Sequence, residues 1–305
     1  MKEYSIRKKL MGTAFELTVV ESSEKRANKY LLEGIEEILR IEKLLSEYNE
    51  DSETARINNH DYESPLVIDE ECYNLIERSL AISLLTKGSF DITVSPLKDL
   101  YSFNNGEVAF PSNRSITQAL SSVGYKKIKL NDGAINLSTE NMKISFNAIG
   151  KGYASDMVKK LWLKNGVKAG YINASGDLSC FGNRADNSDW RIGIANPDNP
   201  KEMLFYIPVQ DTSVATSGDY EQHFIHEGKR YSHNIDPLSG KPLSGIKSVT
   251  VFSPGAELSD ALATAAYVMG VDKGIKFIDQ LPMTHAIFID ENNNVHFSKD
   301  LNYES

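Results

Sequence analysis

Residues 216–264 carry TSGDY, SHNIDPLSG and SDALAT in succession, which sets Asp219, His233, Asp236 and Asp260 close to the ends of expected elements. Carboxylates, hydroxyls and an imidazole gathered among tight turns are the groups that handle polyanions, so this segment is the first candidate for a site. In SDALAT, Asp260 and Thr264 stand four residues apart and share one face of a helix. A carboxylate and a hydroxyl at that spacing offer the oxygen ligands that a hard cation such as magnesium takes. The same residues also read as an ordinary helix start, with Ser259 as the cap and Asp260 as a first-turn acid favoured by the helix dipole. His233 lies just before the Asp236-Pro237 turn and reads either as a base beside a ligand or as a structural histidine; no Ser-His-Asp order accompanies it.

Two further motifs have the chemistry of a ligand site. GKG at 150–152 falls where a strand gives way to a helix, and exposed N–H groups there favour an anion, with Lys151 adding positive charge. Neither a Walker nor a Rossmann glycine pattern is present, so a plain helix start remains open. In GSFDITVSPL, Asp91 and Thr93 point to the same side of an extended segment, where they either grip the polar edge of a flat ring or bond neighbouring turns. A net charge of −9 argues against broad nucleic-acid binding, because such proteins neutralise phosphates with a basic face. An anionic ligand would therefore need a local cation. Cys72 and Cys180 fit neither a disulfide framework nor a zinc spacing and read as buried small hydrophobes.

The elements that must position these groups follow from periodicity. Residues 12–20 alternate as a strand, and 24–47 repeat apolar residues at helical spacing, with the acids read as solvating the outer face. A helix over 70–86 ends at Lys87-Gly88; a polar loop over 101–113 leads to a short helix near 116–122. Strands are expected at 126–130, 134–137 and 142–146, then a helix from the GKG turn to about 166. Strands at 170–174, 190–195, 203–209, 224–226 and 246–252 follow, with a hairpin turn at 227–229. Helices over 258–269 and 271–280 and a strand at 286–289 close the chain. Without strict β-α-β alternation, the expected class is α+β, with mixed or antiparallel sheets and packed helices. No apolar run is long enough to span a bilayer, and no repeat recurs at 20–50 residues. The N-terminus shows no apolar signal region, so the expected address is the cytoplasm.

Taken together, MGTAFEL, LLSEYNEDSETARIN, GSFDITVSPL, ISFNAIGKGYASD, YINASGDLSCFG, WRIGIANP, VATSGDYEQHF, YSHNIDPLSG and SDALATAAYVMG resemble the ApbE family of FAD:protein FMN transferases, across almost the whole chain and in the family's order. The resemblance implies an ApbE-like domain over residues 1–305, with an FAD cleft between two intimately packed halves. It implies magnesium-dependent transfer of the FMN moiety of FAD to a Thr or Ser hydroxyl of a target flavoprotein, in an Asp-x-x-x-Thr-like segment, with release of AMP. It assigns magnesium to Asp260, Thr264 and the backbone carbonyl of Ala148. It assigns FAD contacts to Met11, Tyr48, Ser89, Phe90, Asp91, Ser145 and Lys151, and a catalytic role near the reacting phosphate to His233. The chain departs from the family pattern at Ser145, where many relatives have an acid, and at Ser175-Gly176-Asp177, where many have Gly-Gly-Asp. Many members are exported lipoproteins, whereas a lipobox is absent here. A magnesium-dependent FAD pyrophosphatase yielding FMN and AMP, or a non-catalytic flavin binder, would use the same groups.

Overall fold

The structure is a computed structural model that describes residues 1–103, 108–219 and 222–301. Part of the expected 101–113 loop, and Tyr220 at the end of TSGDY with the adjoining Glu221, lie outside the described residues. The chain opens with a hairpin of β1 (Lys2–Leu10) and β2 (Thr13–Glu21). Met11 and Gly12 join the strands with φ of 48° and 76°, the pair of left-handed conformations that a two-residue turn between twisted strands needs. Ser23 caps α1 (Glu24–Leu45), and α2 (Glu53–Asn58) and β3 (Leu66–Val67) follow. The Asp69 carboxylate accepts from the N–H groups of Glu71 and Cys72 to start α3 (Glu70–Leu85). Next come α4 (Ser95–Lys98), α5 (Asn113–Leu120), β4 (Ile128–Asn131), β5 (Ala134–Leu137) and α6 (Gly150–Lys164). The β-rich half contains β6 (Gly170–Ala174), β7 (Asp177–Phe181), β8 (Trp190–Asn196), β9 (Asn199–Val209), β10 (Ser213–Gly218), β11 (His223–His226), β12 (Lys229–Ser232) and β13 (Ile246–Ser253). The chain closes with α7 (Ala256–Met269), α8 (Val271–Ile278), β14 (His285–Asp290) and β15 (Val295–Phe297).

Eight strands form one antiparallel sheet in the order β1-β2-β6-β7-β10-β13-β14-β15. Strand alternation sends its side chains into two cores. Phe15, Leu17, Val19 and Ile172 meet Ile35, Ile38 and Ile41 of α1 and Val158 and Trp162 of α6 on one side. Farther along that side, Val249, Val251 and Phe288 pack against Leu262 and Ala266 of α7. The other face buries Val20, Leu178, Val214, Phe252 and Ile287 under Trp190, Ile192 and Ile207 of the β8–β9 ribbon. Each fully buried Leu, Ile or Val contributes about 1.5–3 kcal/mol, so both layers are needed to hold the sheet. Both cysteines are buried, and burial pushes the Cys180 thiol up to about 11 and that of Cys72 higher still. No helix among the described residues is long and apolar enough to cross a membrane.

The α+β expectation matches this architecture, with some local differences. Residues 142–146 are extended but belong to no sheet: Asn58 Nδ2 donates to the Ile144 carbonyl (2.9 Å), the Ile144 N–H donates to Asn58 Oδ1 (2.8 Å), and the Ser145 N–H donates to the Ile92 carbonyl (2.8 Å). One asparagine thus supplies bonds that a strand partner would have given. Helix α7 starts earlier than its apolar pattern suggested, with Gly255 at the cap. Ser259 is therefore inside the helix, where its hydroxyl bonds Ser253 Oγ (2.8 Å) and the Ser213 carbonyl (3.1 Å). The capping comes from another helix: Asp156 of α6 accepts from the N–H groups of Ala256 and Glu257, at 2.9 Å each.

That cap requires α6 and α7 to lie very close together at their first turns. A Cβ on Gly152 would stand 2.2 Å from the Ala256 carbonyl oxygen, a backbone atom that cannot swing aside. Gly152→Ala is expected to cost about 1–3 kcal/mol or more through forced separation of the helices, read as a drop of several degrees in Tm. An unchanged Tm would show that the two helix starts are not in contact in solution.

Candidate active-site cleft

A cleft of about 660 Å³ opens at the end of the sheet where β2 and β7 begin and β6 and β10 finish. The β1–β2 turn contributes Met11 and Gly12, the last turn of α1 contributes Glu42 and the segment after it Glu47, and the turn between β6 and β7 contributes Ser175 and Asp177. The start of α6 and the body of α7 complete it, with Ala148 and Lys151 on one approach and Asp260 and Thr264 on the other. Lys98, Gln222, His233 and Asn234 also line the wall. Tyr48 is at the mouth and is 86% exposed.

Asp260 is 6% exposed, and its Oδ2 accepts the Gly152 N–H at 3.2 Å. Gly152 is in the first turn of α6, where a backbone N–H has no acceptor within its own helix, so Asp260 supplies one from α7. Ala148, just ahead of that turn, lines the cleft. The Thr264 hydroxyl shares a hydrogen bond with Ser217 Oγ (3.2 Å). Lys151 Nζ stands 2.5 Å from Asp177 Oδ2, while Asp177 Oδ1 accepts the Thr216 N–H (3.2 Å). The Glu47 carboxylate receives Asn147 Nδ2 and, at 3.4 Å, the Ser95 hydroxyl.

Histidine 233 is half-buried, and its Nδ1 lies 3.1 Å from the Gln222 carbonyl. A carbonyl accepts only, so Nδ1 carries the proton and Nε2 keeps its lone pair. Burial, reinforced by the positive charges of Lys98 and Lys151, lowers the His233 pKa to about 4, so the ring is neutral at pH 7.

The residues singled out from sequence are thus not all in one place. Met11, Tyr48, Ala148, Lys151, His233, Asp260 and Thr264 line the cleft. Ser89, Phe90, Asp91 and Ser145 do not. Asp91 bonds neighbouring turns: Oδ1 accepts from the Thr93 N–H (2.8 Å) and hydroxyl (2.6 Å), and Oδ2 accepts the Tyr125 N–H (2.8 Å). Ser145 Oγ accepts the N–H of Asn147, a wall residue, at 3.3 Å. Asp219 lies off the wall, where its Oδ2 is 3.2 Å from Arg230 Nε and burial pushes its carboxyl up to about 6. Asp236 closes its own turn by accepting from the Leu238 N–H and the Ser239 hydroxyl. Sequence reading missed Glu42 and Glu47, taken there as solvating acids, and Lys98, which carries no motif signal. Asp177 was within reach, since it follows the Ser175-Gly176 turn and Lys151 needed a counter-charge.

A sequence profile of the ApbE family matches residues 11–288. The chain belongs to the ApbE family. It is 28% identical over 310 residues to the FAD:protein FMN transferase of Treponema pallidum (strain Nichols), covering 95% of this chain and 85% of that protein. With the FAD:protein FMN transferase of Escherichia coli (strain K12) it shares 29% identity over 274 residues, 87% of this chain and 78% of the relative. Among solved structures, the ApbE protein of Thermotoga maritima MSB8 superposes with a TM-score of 0.89 at 31% identity, covering 98% and 97% of the two chains. The apo form of the Pseudomonas stutzeri flavinyl transferase ApbE gives 0.87 at 27% identity over 98% and 95%. The α+β, antiparallel architecture is therefore the ApbE fold.

The depressed basicity of His233 can be read directly in this ApbE chain. An NMR titration of its ring is expected to have a midpoint near 4, and a midpoint at the ordinary 6.5 would refute the buried setting. Because the folded value lies below the unfolded one, the ring's contribution to stability is present above pH 6.5 and is lost as pH falls through the window down to about 4.

Proposed function

We propose that this chain is a magnesium-dependent FAD:protein FMN transferase: a Thr or Ser hydroxyl of an acceptor flavoprotein attacks the phosphorus of the FMN half of FAD, the bond to the AMP half breaks, and AMP leaves. One observation carries this reading. The Asp260 carboxylate, the Thr264 hydroxyl and the Ala148 carbonyl line the same cleft as His233 and Lys151. The names of the relatives, matched over most of their length, support the class of reaction.

The donor set fits magnesium. All three donors are hard oxygens and only one is charged. Among the described residues, no three His, Cys, Asp or Glu side chains gather around one point. Substrate phosphate oxygens would thus complete the shell, as magnesium prefers. The cleft itself shows why a cation is needed: its wall holds Glu42, Glu47, Asp177 and Asp260 against Lys98 and Lys151, so a diphosphate would enter a surplus of negative charge. Bound there, the ion would neutralise the diphosphate and ease departure of AMP.

The remaining roles belong to the chain's own groups. His233 Nε2 takes the proton of the attacking hydroxyl, with Nδ1 fixed by the Gln222 carbonyl. A base with a pKa near 4 is weak, but a diphosphate beside it brings negative charge and raises its basicity. The exposed Tyr48 ring offers a flat face for the isoalloxazine at the mouth. Ser145 supports the wall through its bond to the Asn147 N–H.

Incubation with FAD, magnesium and an acceptor bearing an Asp-x-x-x-Thr-like segment should yield an FMN-sized mass increment on the acceptor hydroxyl and AMP in solution. Free FMN without the adduct would replace this reading by hydrolysis, and intact FAD would replace it by flavin carriage. His233→Ala is expected to lower kcat by about 10²–10⁴-fold with little change in FAD affinity; equal losses in both would remove its role as base. Asp260→Ala should abolish magnesium binding by calorimetry and lower turnover at least about 100-fold. Retained magnesium dependence in that variant would overturn the metal assignment.

A further inference from the structure

Lys98 lines the cleft and is not used by the reading above. It ends α4, a single turn held by the Leu97 and Lys98 N–H groups on the Val94 carbonyl (3.0 and 3.2 Å). Pro96 stiffens that turn, and its neighbour Leu97 is fully buried in an aromatic cluster with Tyr101 and Phe224. The backbone that carries the ammonium is therefore anchored. The other lysine of the wall, Lys151, is 2.5 Å from a carboxylate, whereas Lys98 Nζ has no ion pair or side-chain hydrogen bond among the described residues. Burial lowers its basicity, with Glu47 the opposing influence, and its charge is felt by His233. An ammonium half-removed from water without a carboxylate partner is unfavourable until an anion arrives, and it then forms a charge-assisted bond of more than ordinary strength.

We propose that Lys98 is an anion-binding residue of this cleft and that it takes an oxygen of the phosphate belonging to the FMN half of FAD. This rests on the flavin-transfer reading and adds a binding residue to it. Within FMN the phosphate is the only anion, and the Lys98 ammonium acts as a point charge able to follow that phosphate as its ester bond changes partner. His233, within the field of Lys98, stands where the proton is taken. The phosphate is thereby held from the protein side as well as by any cation at Asp260.

The test compares FMN with riboflavin, which differ by that phosphate alone, by flavin-fluorescence titration with a chelator present so that no metal contributes. The wild-type protein is expected to prefer FMN by about 10-fold or more, the effect of one hydrogen bond to a charged group. Lys98→Met should lose most of that preference while binding riboflavin as before, which also reports an intact cleft, and Lys98→Arg should keep much of it. If Lys98→Met does not fold, Lys98→Gln serves in its place. Retention of the FMN preference in the neutral variant would overturn the proposal, as would equal affinity of the wild-type protein for FMN and riboflavin. Failure of the wild-type protein to bind either flavin would overturn the transfer reading itself and this proposal with it.

Discussion

The approach of α6 to the start of α7 sets the rest of the site. Gly152 has no side chain, so its backbone lies against the Ala256 carbonyl and its N–H reaches Asp260. One turn later, Asp156 closes the same contact by capping α7 from outside. Two helices that begin together expose unsatisfied N–H groups in one place. The chain uses one carboxylate to satisfy those of α7 and leaves another, Asp260, facing the cleft. A wider gap would carry the start of α6 away from Asp260 and open the hydrogen bond that joins them.

Charge in the cleft follows a related logic. Acids outnumber lysines along the wall, yet the acids are not alike. Asp177 is matched to Lys151, Glu47 is drawn into bonds with Asn147 and Ser95, and Asp260 is tied to a backbone N–H. These three carboxylates are oriented before any ligand arrives, and preorganised charge of this kind does its electrostatic work without rearrangement. Neutral His233 avoids adding a competing positive charge and keeps a lone pair instead.

Much of this was legible in the residue order. The helical spacing of α1, the i, i+4 pair in SDALAT and the GKG helix start all led to elements that the structure contains, and seven of the residues singled out line one cleft. What escaped had physical causes. Strand β7 is buried on both faces and β10 nearly so, and such strands show no polar–apolar alternation. The extended run at 142–146 has a strand's sequence but takes its bonds from Asn58, a long-range partner that no local pattern reveals. Glu42 near the end of α1 and Glu47 just beyond it are of the same type as the acids earlier in that segment, so type and spacing could not distinguish them. Asp91, on the same side of an extended segment as Thr93, read either as a grip on a flat ring or as a bond between turns, and the structure shows it making three turn bonds.

The two cysteines have a consequence of a different kind. Both thiols sit in the apolar interior, and their raised pKa keeps them protonated at neutral pH, so neither presents a nucleophile to solvent. The native fold therefore supplies a silent background for thiol labelling. A single cysteine introduced beside the exposed Tyr48 would be the one reactive handle, and a fluorophore placed there would report arrivals at the mouth of the cleft without removing either native thiol.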